Sequence, residues 1–278
     1  MTEFIRYDFP SDINIYPIYD VHYGSANHCE REFREYLKLI QLDPDGYVVL
    51  GGDLVNNNIG NMIPWEDTES PHRQLMDMVE LLKPLAERNR ILCSVRGNHE
   101  FRTMKSSYID SSSIIMSKLN LENRYRPDIA FLSIGIGTRT HGKRGSDPAT
   151  RFIVGVTHGF GGGMKTGSTV NRAEDFWVGY EGLDIGISGH THRPFMETRA
   201  RQVIDRRKGV KKIRHSVLCV ASSWMDSTEG YPIQKGYPAV STCIVQKLTL
   251  HEPTKCDGQG FVTSSFRSID RAIWESTV

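Results

Sequence analysis

No segment of this 278-residue chain approaches 18 consecutive apolar residues, so the sequence offers no transmembrane helix. The stretch Met1–Pro10 is polar and charged and lacks the apolar run of a secretory signal. Charge of one sign is equally scarce. Lysine and arginine number 34 against 33 aspartates and glutamates, a formal net charge of +1, so no global field draws nucleic acid or an anionic membrane. A local basic groove is not excluded. Cysteine is sparse and odd in number: Cys29, Cys93, Cys219, Cys243 and Cys256, with no CxxC spacing. That excludes a disulfide frame and a zinc knuckle and predicts reduced thiols in a cytoplasmic protein. Cys93, Cys219 and Cys243 lie in apolar runs and are expected in the core. There is no internal repeat, low-complexity segment or P-loop spacing. With 38% hydrophobic and 24% charged residues, this is an ordinary globular composition, long enough to bury a sizeable core.

What is present is a regular alternation. Strand-length, β-branched runs occur at Ile13–Tyr19, Tyr47–Leu50, Ile91–Val95, Ala130–Ile136, Phe152–Val156, Asp184–Ile187, Val217–Ala221 and Ala239–Val245. Between the early ones lie helical patterns. Glu30–Ile40 places Phe33, Tyr36, Leu37 and Ile40 on one face, and Arg73–Ala86 places Leu75, Met78, Val79 and Leu82, with Pro84 expected to kink or shorten its end. Ser111–Leu119 and Val170–Val178 are shorter candidates. Strands alternating with helices predict an α/β fold, and the strand-rich later chain predicts a second sheet packed on the first. The whole of 1–278 is expected to form a single domain, with residues 193–278 supplying second-sheet strands, a basic hairpin and a tail.

Five short motifs hold five of the 10 histidines: Asp20-Val21-His22, Gly52-Asp53, Gly97-Asn98-His99-Glu100, His158-Gly159 and Gly189-His190-Thr191-His192. Each begins where an expected strand stops, and open α/β sheets place ligands at the carboxyl ends of strands. A single histidine at a strand end is ordinarily solvated or structural, and Asn98 alone would pass for a turn residue. Seven O- and N-donor side chains delivered to one edge from five strands point instead to a metal centre. Two metal ions roughly 3.5–4 Å apart neutralise phosphoryl oxygens and turn a bridging water into hydroxide, which is what resistant phosphoester bonds require. Such a centre needs a carboxylate able to bridge both ions, and Asp53, on a tight Gly51-Gly52 turn, is the natural choice. The mix of imidazole, carboxylate and amide suits Mn, Fe or Zn better than Ca.

These blocks, in this order, resemble the calcineurin-like metallophosphoesterases, and the match spans Asp20 to His192. The resemblance implies a four-layer fold, two β-sheets sandwiched face to face and flanked by helices, with the active site at the carboxyl edge of the strands. It implies that Asp20, His22 and His192 hold one metal ion and Asn98, His158 and His190 the second, with Asp53 bridging. It implies two divalent ions, Mn first, with Fe, Zn or Ni as alternatives. His99 resembles the histidine that binds phosphate and protonates the leaving oxygen, a role suited to imidazole near neutral pH. Glu100 would orient it.

The sequence departs from the family at Asn56, where many relatives are acidic. Arg96, ahead of Gly97-Asn98-His99-Glu100, resembles the phosphate-contacting arginine of serine/threonine phosphatases; it is either a phosphate clamp or a strand-end salt bridge. The rest of that signature is missing, since Asn57 follows Asn56 where those enzymes use Arg-Gly. Arg102 is a substrate-side candidate. So are Lys165 and Arg172 beyond Gly161-Gly162-Gly163, a stretch that either closes over a phosphorylated substrate or simply connects to the next helix. Thr138–Ala149 reads as an exposed loop and Arg199–Arg214 as a β-hairpin with a basic tip, either solvated or touching a phosphate backbone. Trp224–Tyr237 either walls the pocket or packs the sandwich edge, and His28, His72, His141, His215 and His251 are expected to be structural or on the surface.

The function expected is two-metal hydrolysis of a phosphodiester in a nucleotide or nucleic acid, in the cytoplasm and without a membrane partner. Alternatives are a repair-type DNA nuclease, for whose DNA-binding cap the roughly 85 residues after His192 leave little room, and a phosphomonoesterase. Some proteins of this fold, such as the retromer subunit, have lost the catalytic histidine and serve as scaffolds. Intact His99 argues against that here.

Overall fold

The structure is a computed structural model that describes residues 3–58, 67–140, 146–163, 165–205, 207, 209–229, 236, 238–254 and 260–272. His141, Cys256, Arg206 and Lys208 of the basic hairpin and Tyr237 of the aromatic loop lie outside the described residues. The elements run β1 (Ile5–Phe9), β2 (Ile13–Ile18), α1 (Glu30–Leu42), β3 (Gly46–Leu50), α2 (Pro71–Glu87), β4 (Ile91–Ser94), α3 (Asn98–Ser107), α4 (Ser111–Lys118), β5 (Ile129–Thr140), β6 (Ser146–Thr157), α5 (Thr166–Gly179), β7 (Ile185–Ser188), β8 (Phe195–Asp205), β9 (Val210–Val220), β10 (Ile244–His251) and β11 (Phe261–Ser268).

Two sheets result, ordered β1-β5-β6-β7-β9-β8 and β11-β10-β2-β3-β4. Strands β2, β3 and β4 are mutually parallel, as are β6, β7 and β9. The alternation of side chains explains the layering. In β2, Ile13 and Ile15 face the other sheet, where they meet Leu132, Ile134 and Val154, while Tyr16 and Ile18 face the opposite way and pack on α1 and α2. In β3, Val49 belongs to the inter-sheet core, and Val48 and Leu50 lie under Phe33, Tyr36, Ile40, Met78 and Leu82. Helix α5 covers the outer face of the other sheet through Ala173 and Trp177 against Leu218, Val220 and Phe195. The order is thus helices, sheet, sheet, helix, a two-sheet sandwich flanked by helices. Among the described residues no helix is long and apolar enough to cross a membrane.

Several expectations need correction. Helix α2 begins with Pro71 behind a Ser70 cap, whose side chain accepts from Arg73 N, and it runs through Pro84 to Glu87. Its apolar face overrides the lost hydrogen bond. The expected strand at Ala239–Val245 forms at Ile244–His251 instead. The tail contains β11, which pairs antiparallel with β10, and both strands return to the sheet of β2–β4 rather than joining the second sheet. Of the expected loop Thr138–Ala149, residues 138–140 and 146–149 are strand, with Thr138 opposite Pro148 and Arg139 opposite Asp147, and residues 141–145 lie outside the described residues. The basic hairpin exists as β8–β9. Trp224 does not wall a pocket: it is fully buried, stacked on Tyr36 at 4.5 Å and tilted against Phe33 at 5.6 Å.

The backbone of Trp224 also ties the core to the strand ends, since its amide N–H donates to the Asp20 carbonyl at 3.1 Å and its carbonyl accepts from Cys29 N at 2.8 Å. Trp224→Ala is expected to lower stability by about 3–5 kcal/mol. Trp224→Phe should lower it less, because it keeps a ring and removes a buried Nε1 that has no hydrogen-bond partner. Urea midpoints of the two variants check this.

Candidate metal centre

The ends of β2, β3, β4, β6 and β7 meet at one edge of the sandwich, and the polar motifs continue directly from them. Five of the seven expected ligands have left-handed backbone: Asp20 (φ 47°), His22 (48°), Asp53 (49°), His190 (69°) and His192 (56°). Each such residue without a glycine's freedom costs about 1–2 kcal/mol. Hydrogen bonds between neighbouring loops hold them there. Asp20 N donates to Gly52 O at 3.1 Å, His22 N to Asp53 O at 2.9 Å and Tyr23 N to Leu54 O at 3.1 Å.

The Asp53 turn is fastened from the other side by Glu100. Its fully buried carboxylate accepts from Asp53 N (2.9 Å), Leu54 N (2.8 Å), Val55 N (3.5 Å) and Gly97 N (3.0 Å). Gly52 and Gly97 permit this approach. A Cβ on Gly52, which has φ +88°, would run into the Gly97 backbone, and one on Gly97 would run into the amide and carboxylate of Asp53. Glu100 therefore holds the metal-side turn rather than orienting His99, a correction to the expected role. His99 is oriented by the carbonyl of Asn56, 2.5 Å from its Nδ1. A carbonyl can only accept, so the proton sits on Nδ1 and Nε2 is left for the site. Asn56 is fixed in turn by Asp67, whose carboxylate accepts from Asn56 Nδ2 at 2.5 Å, Asn58 N at 3.1 Å and Gln74 Nε2 at 3.0 Å. The Asn56-Asn57-Asn58 run signals a polar loop, but nothing in its spacing points to Asp67.

The donor atoms converge in two groups that share a middle. Asp20, His22 and His192 form one and Asp53, His158 and His190 the other, with the ligand atoms of each group within 4.8 Å of one another. Asp53 Oδ2 lies between them, 3.7 Å from His22 Nε2 and 3.4 Å from His158 Nε2, while its Oδ1 accepts from His99 N at 2.8 Å. Asn98 Oδ1 lies 2.9 Å from His158 Nε2 and 2.8 Å from His190 Nδ1. His22 Nε2 and His192 Nε2 face each other at 3.2 Å. A third group, His22, Asp53 and His99, places His99 beside the middle.

Electrostatics show what this arrangement wants. Burial lowers His22, His190 and His192, keeping these imidazoles neutral, the form that binds metal, and it lowers His99 against the pull of Asp53. Burial would also lower His158, but Asp53 and Asp20 outweigh it and push it up to about 10. Burial alone would raise Asp53, but His158 and His99 hold it well below the ordinary carboxylate range. Two buried carboxylates thus demand positive charge, and His158 is the imidazole they push toward it. Asp20 Oδ1 and His22 Nδ1 are buried without a hydrogen-bond partner, and Asp20 Oδ1 stands 3.6 Å from His192 Nε2. A buried carboxylate oxygen with no donor is costly unless a cation meets it. The residues fit divalent metal ions.

The substrate-side candidates fare unevenly. Arg96 is spent: it pairs with Asp110 at 3.2 Å and Asp128 at 3.3 Å and lies over Phe101. It is the strand-end salt bridge rather than a phosphate clamp. Arg102 stays near the chemistry, since its charge is among those that lower His99. Lys165 stands ahead of α5, where its carbonyl accepts from Ser168, and its side chain is exposed. Arg172 pairs with Asp175 at 3.2 Å and lies over Phe160, lining a small cavity with Gly159, Gly189 and Thr191. Of the remaining histidines, His28 bonds the Trp224 carbonyl and His251 bonds Asp12 and Thr263, as structural residues do.

The model of the calcineurin-like phosphoesterases matches residues 18–194, and the chain belongs to that family. Among solved structures the chain is similar to an uncharacterized protein from Streptococcus pneumoniae TIGR4, described as a predicted phosphoesterase. The two share 13% identity over 92% of this chain and 99% of the other, with a TM-score of 0.36. It is also similar to Vps29 from Chaetomium thermophilum, with 13% identity over 91% of this chain and 93% of the other and a TM-score of 0.36. No curated protein sequence matches it.

Replacing Glu100 by Gln turns one acceptor oxygen into an NH2 facing amide N–H donors. The expected loss is about 1–3 kcal/mol, measured by urea denaturation. The same substitution at exposed Glu181 should leave the midpoint unchanged.

Proposed function

We propose that the chain hydrolyses a phosphodiester of a nucleotide or nucleic acid with two divalent ions. The observation that carries this reading is the position of Asp53 Oδ2 between two histidine-containing clusters, with His99 beside them. Asp20, His22 and His192 would hold one ion, Asn98, His158 and His190 the other, and Asp53 both. The donor set suits Mn, with Fe, Zn or Ni as alternatives. Bound ions would supply Lewis-acid neutralisation of the phosphoryl oxygens and a water of lowered pKa. The protein's own contribution is a proton. His99, whose Nδ1–H is held by the Asn56 carbonyl, presents Nε2 to the leaving oxygen and serves as general acid from its imidazolium form, in which Nε2 also carries a proton and which the negative charge of a bound phosphate favours. Arg102 adds positive charge on the same side.

A diester is favoured over a monoester by charge. The dianion of a monoester calls for an additional guanidinium, and Arg96, the one its motif would offer, is neutralised by Asp110 and Asp128. A scaffold would have no use for strained ligand backbone or for His99 and its Asn56 support.

Purified protein with Mn is expected to hydrolyse bis-p-nitrophenyl phosphate faster than p-nitrophenyl phosphate. Asp53→Ala should lose both bound metal, by elemental analysis, and turnover. His99→Ala should keep its metal and lose about 10²–10⁴ in kcat. Turnover of neither ester, unaffected by His99→Ala, would sink the reading. Because the ions bind only the folded site, Mn should raise the Tm and EDTA reverse it. This response should vanish in Asp53→Ala.

A further inference from the structure

Two phenylalanines stand exposed beside the centre, each two residues after one of its histidines. Phe101 follows His99 and is 41% exposed, and Phe160 follows His158 and is 52% exposed. Each carries a guanidinium over its ring. Arg96 Cζ is 4.9 Å from the Phe101 centroid, with Lys105 Nζ at 5.8 Å, and Arg172 Cζ is 5.3 Å from that of Phe160. The guanidiniums are themselves held, Arg96 by Asp110 and Asp128 and Arg172 by Asp175, so the rings rest on supported cations. On α3, Phe101 lies three residues beyond Asn98, on the same face, while Glu100 and Thr103 form the buried face. Phe160 lines the small cavity with Gly159, Gly189 and Thr191, the chain neighbours of His158, His190 and His192. Asn98 Oδ1 lies against both His158 and His190, so the start of α3, which carries Phe101, and the β6–α5 connection, which carries Phe160, meet at the cluster.

A cation against one part of a ring, with the rest in solvent, makes a flat surface suited to stacking on a heteroaromatic base. Stacking tolerates any base, because every base has a π-face, but it requires the base to be unpaired. Two such surfaces, on separate elements that meet at a phosphoester centre, match a phosphate that joins two nucleosides. We propose that Phe101 and Phe160 are stacking rests for the nucleosides on the two sides of the scissile phosphate. The substrate is then an unpaired nucleic-acid strand or a dinucleotide. This rests on the phosphodiesterase reading above and narrows it.

The test is an anisotropy titration of a fluorescein-labelled decathymidylate with phosphorothioate linkages, in Mn and again in EDTA. Phe101→Leu and Phe160→Leu keep apolar bulk but lose the ring, and each is expected to weaken binding by about 5- to 150-fold, the range that loss of one base–aromatic stack produces. Phe101→Tyr and Phe160→Tyr should restore wild-type binding. Exposure of both rings makes the substitutions mild for folding, which thermal unfolding verifies. Leucine variants that bind like wild type, or tighter binding of the corresponding duplex than of the single strand, would overturn the proposal. The two readings fail separately. Hydrolysis of bis-p-nitrophenyl phosphate with ring-independent binding removes the stacking rests alone. Ring-dependent binding without hydrolysis of any diester removes the phosphodiesterase reading.

Discussion

Four backbone amides, those of Asp53, Leu54, Val55 and Gly97, converge on the one buried carboxylate of Glu100, and the geometry of the whole site hangs on that contact. It fastens the turn after β3 to the first turn of α3, so that Asp53, Asn98 and His99, from two different elements, meet at one point. Glu100 stands at the third position of α3 and reaches back to Gly97 N, so the contact also caps the helix. Burial and the charge of Asp53 push Glu100 up to about 7, while the amides it accepts from pull it down. The fold keeps a carboxylate there because no neutral side chain accepts so many donors.

The second constraint is strain matched to charge. Left-handed backbone at Asp20, His22, Asp53, His190 and His192 turns these side chains sharply off their strand ends toward a common centre. The loop-to-loop hydrogen bonds and the buried Trp224 hold that backbone in place. What results is a cluster of imidazoles around two buried carboxylates, His158 pushed toward the charged form and the others toward the neutral one, a demand for positive charge that metal ions would meet. The same preorganisation favours chemistry, because donors already in place need no rearrangement at the moment of reaction.

Much of the architecture was legible in the chain itself. Continuous strand-length apolar runs marked β2, β3 and β6, and the 3.6-residue spacing of Phe33, Tyr36, Leu37 and Ile40 marked α1, because burial on two faces or on one stripe leaves that imprint directly. The motifs at strand ends were equally plain. Helix α3 was not, since its first turn is Asn-His-Glu, residues chosen for the site and not for an apolar face. Strand β11 was hidden because its exposed, polar alternation carries little hydrophobic signal. The part taken by Glu100, the contact of the Asn56 carbonyl with His99 and the support from Asp67 are not legible in the chain, because hydrogen bonds between loops leave no period to detect.

The sequence alone therefore determined the fold class, the donor types and the five strand ends at which they sit, since these follow from local pattern and side-chain chemistry. Only the tertiary structure decided which donors face one another. It placed Asp53 Oδ2 between the two clusters, gave Arg96 to Asp110 and Asp128, and left Phe101 and Phe160 exposed on cationic supports. Those outcomes depend on distances between residues far apart in the chain, and only the packing of one sheet against another sets such distances.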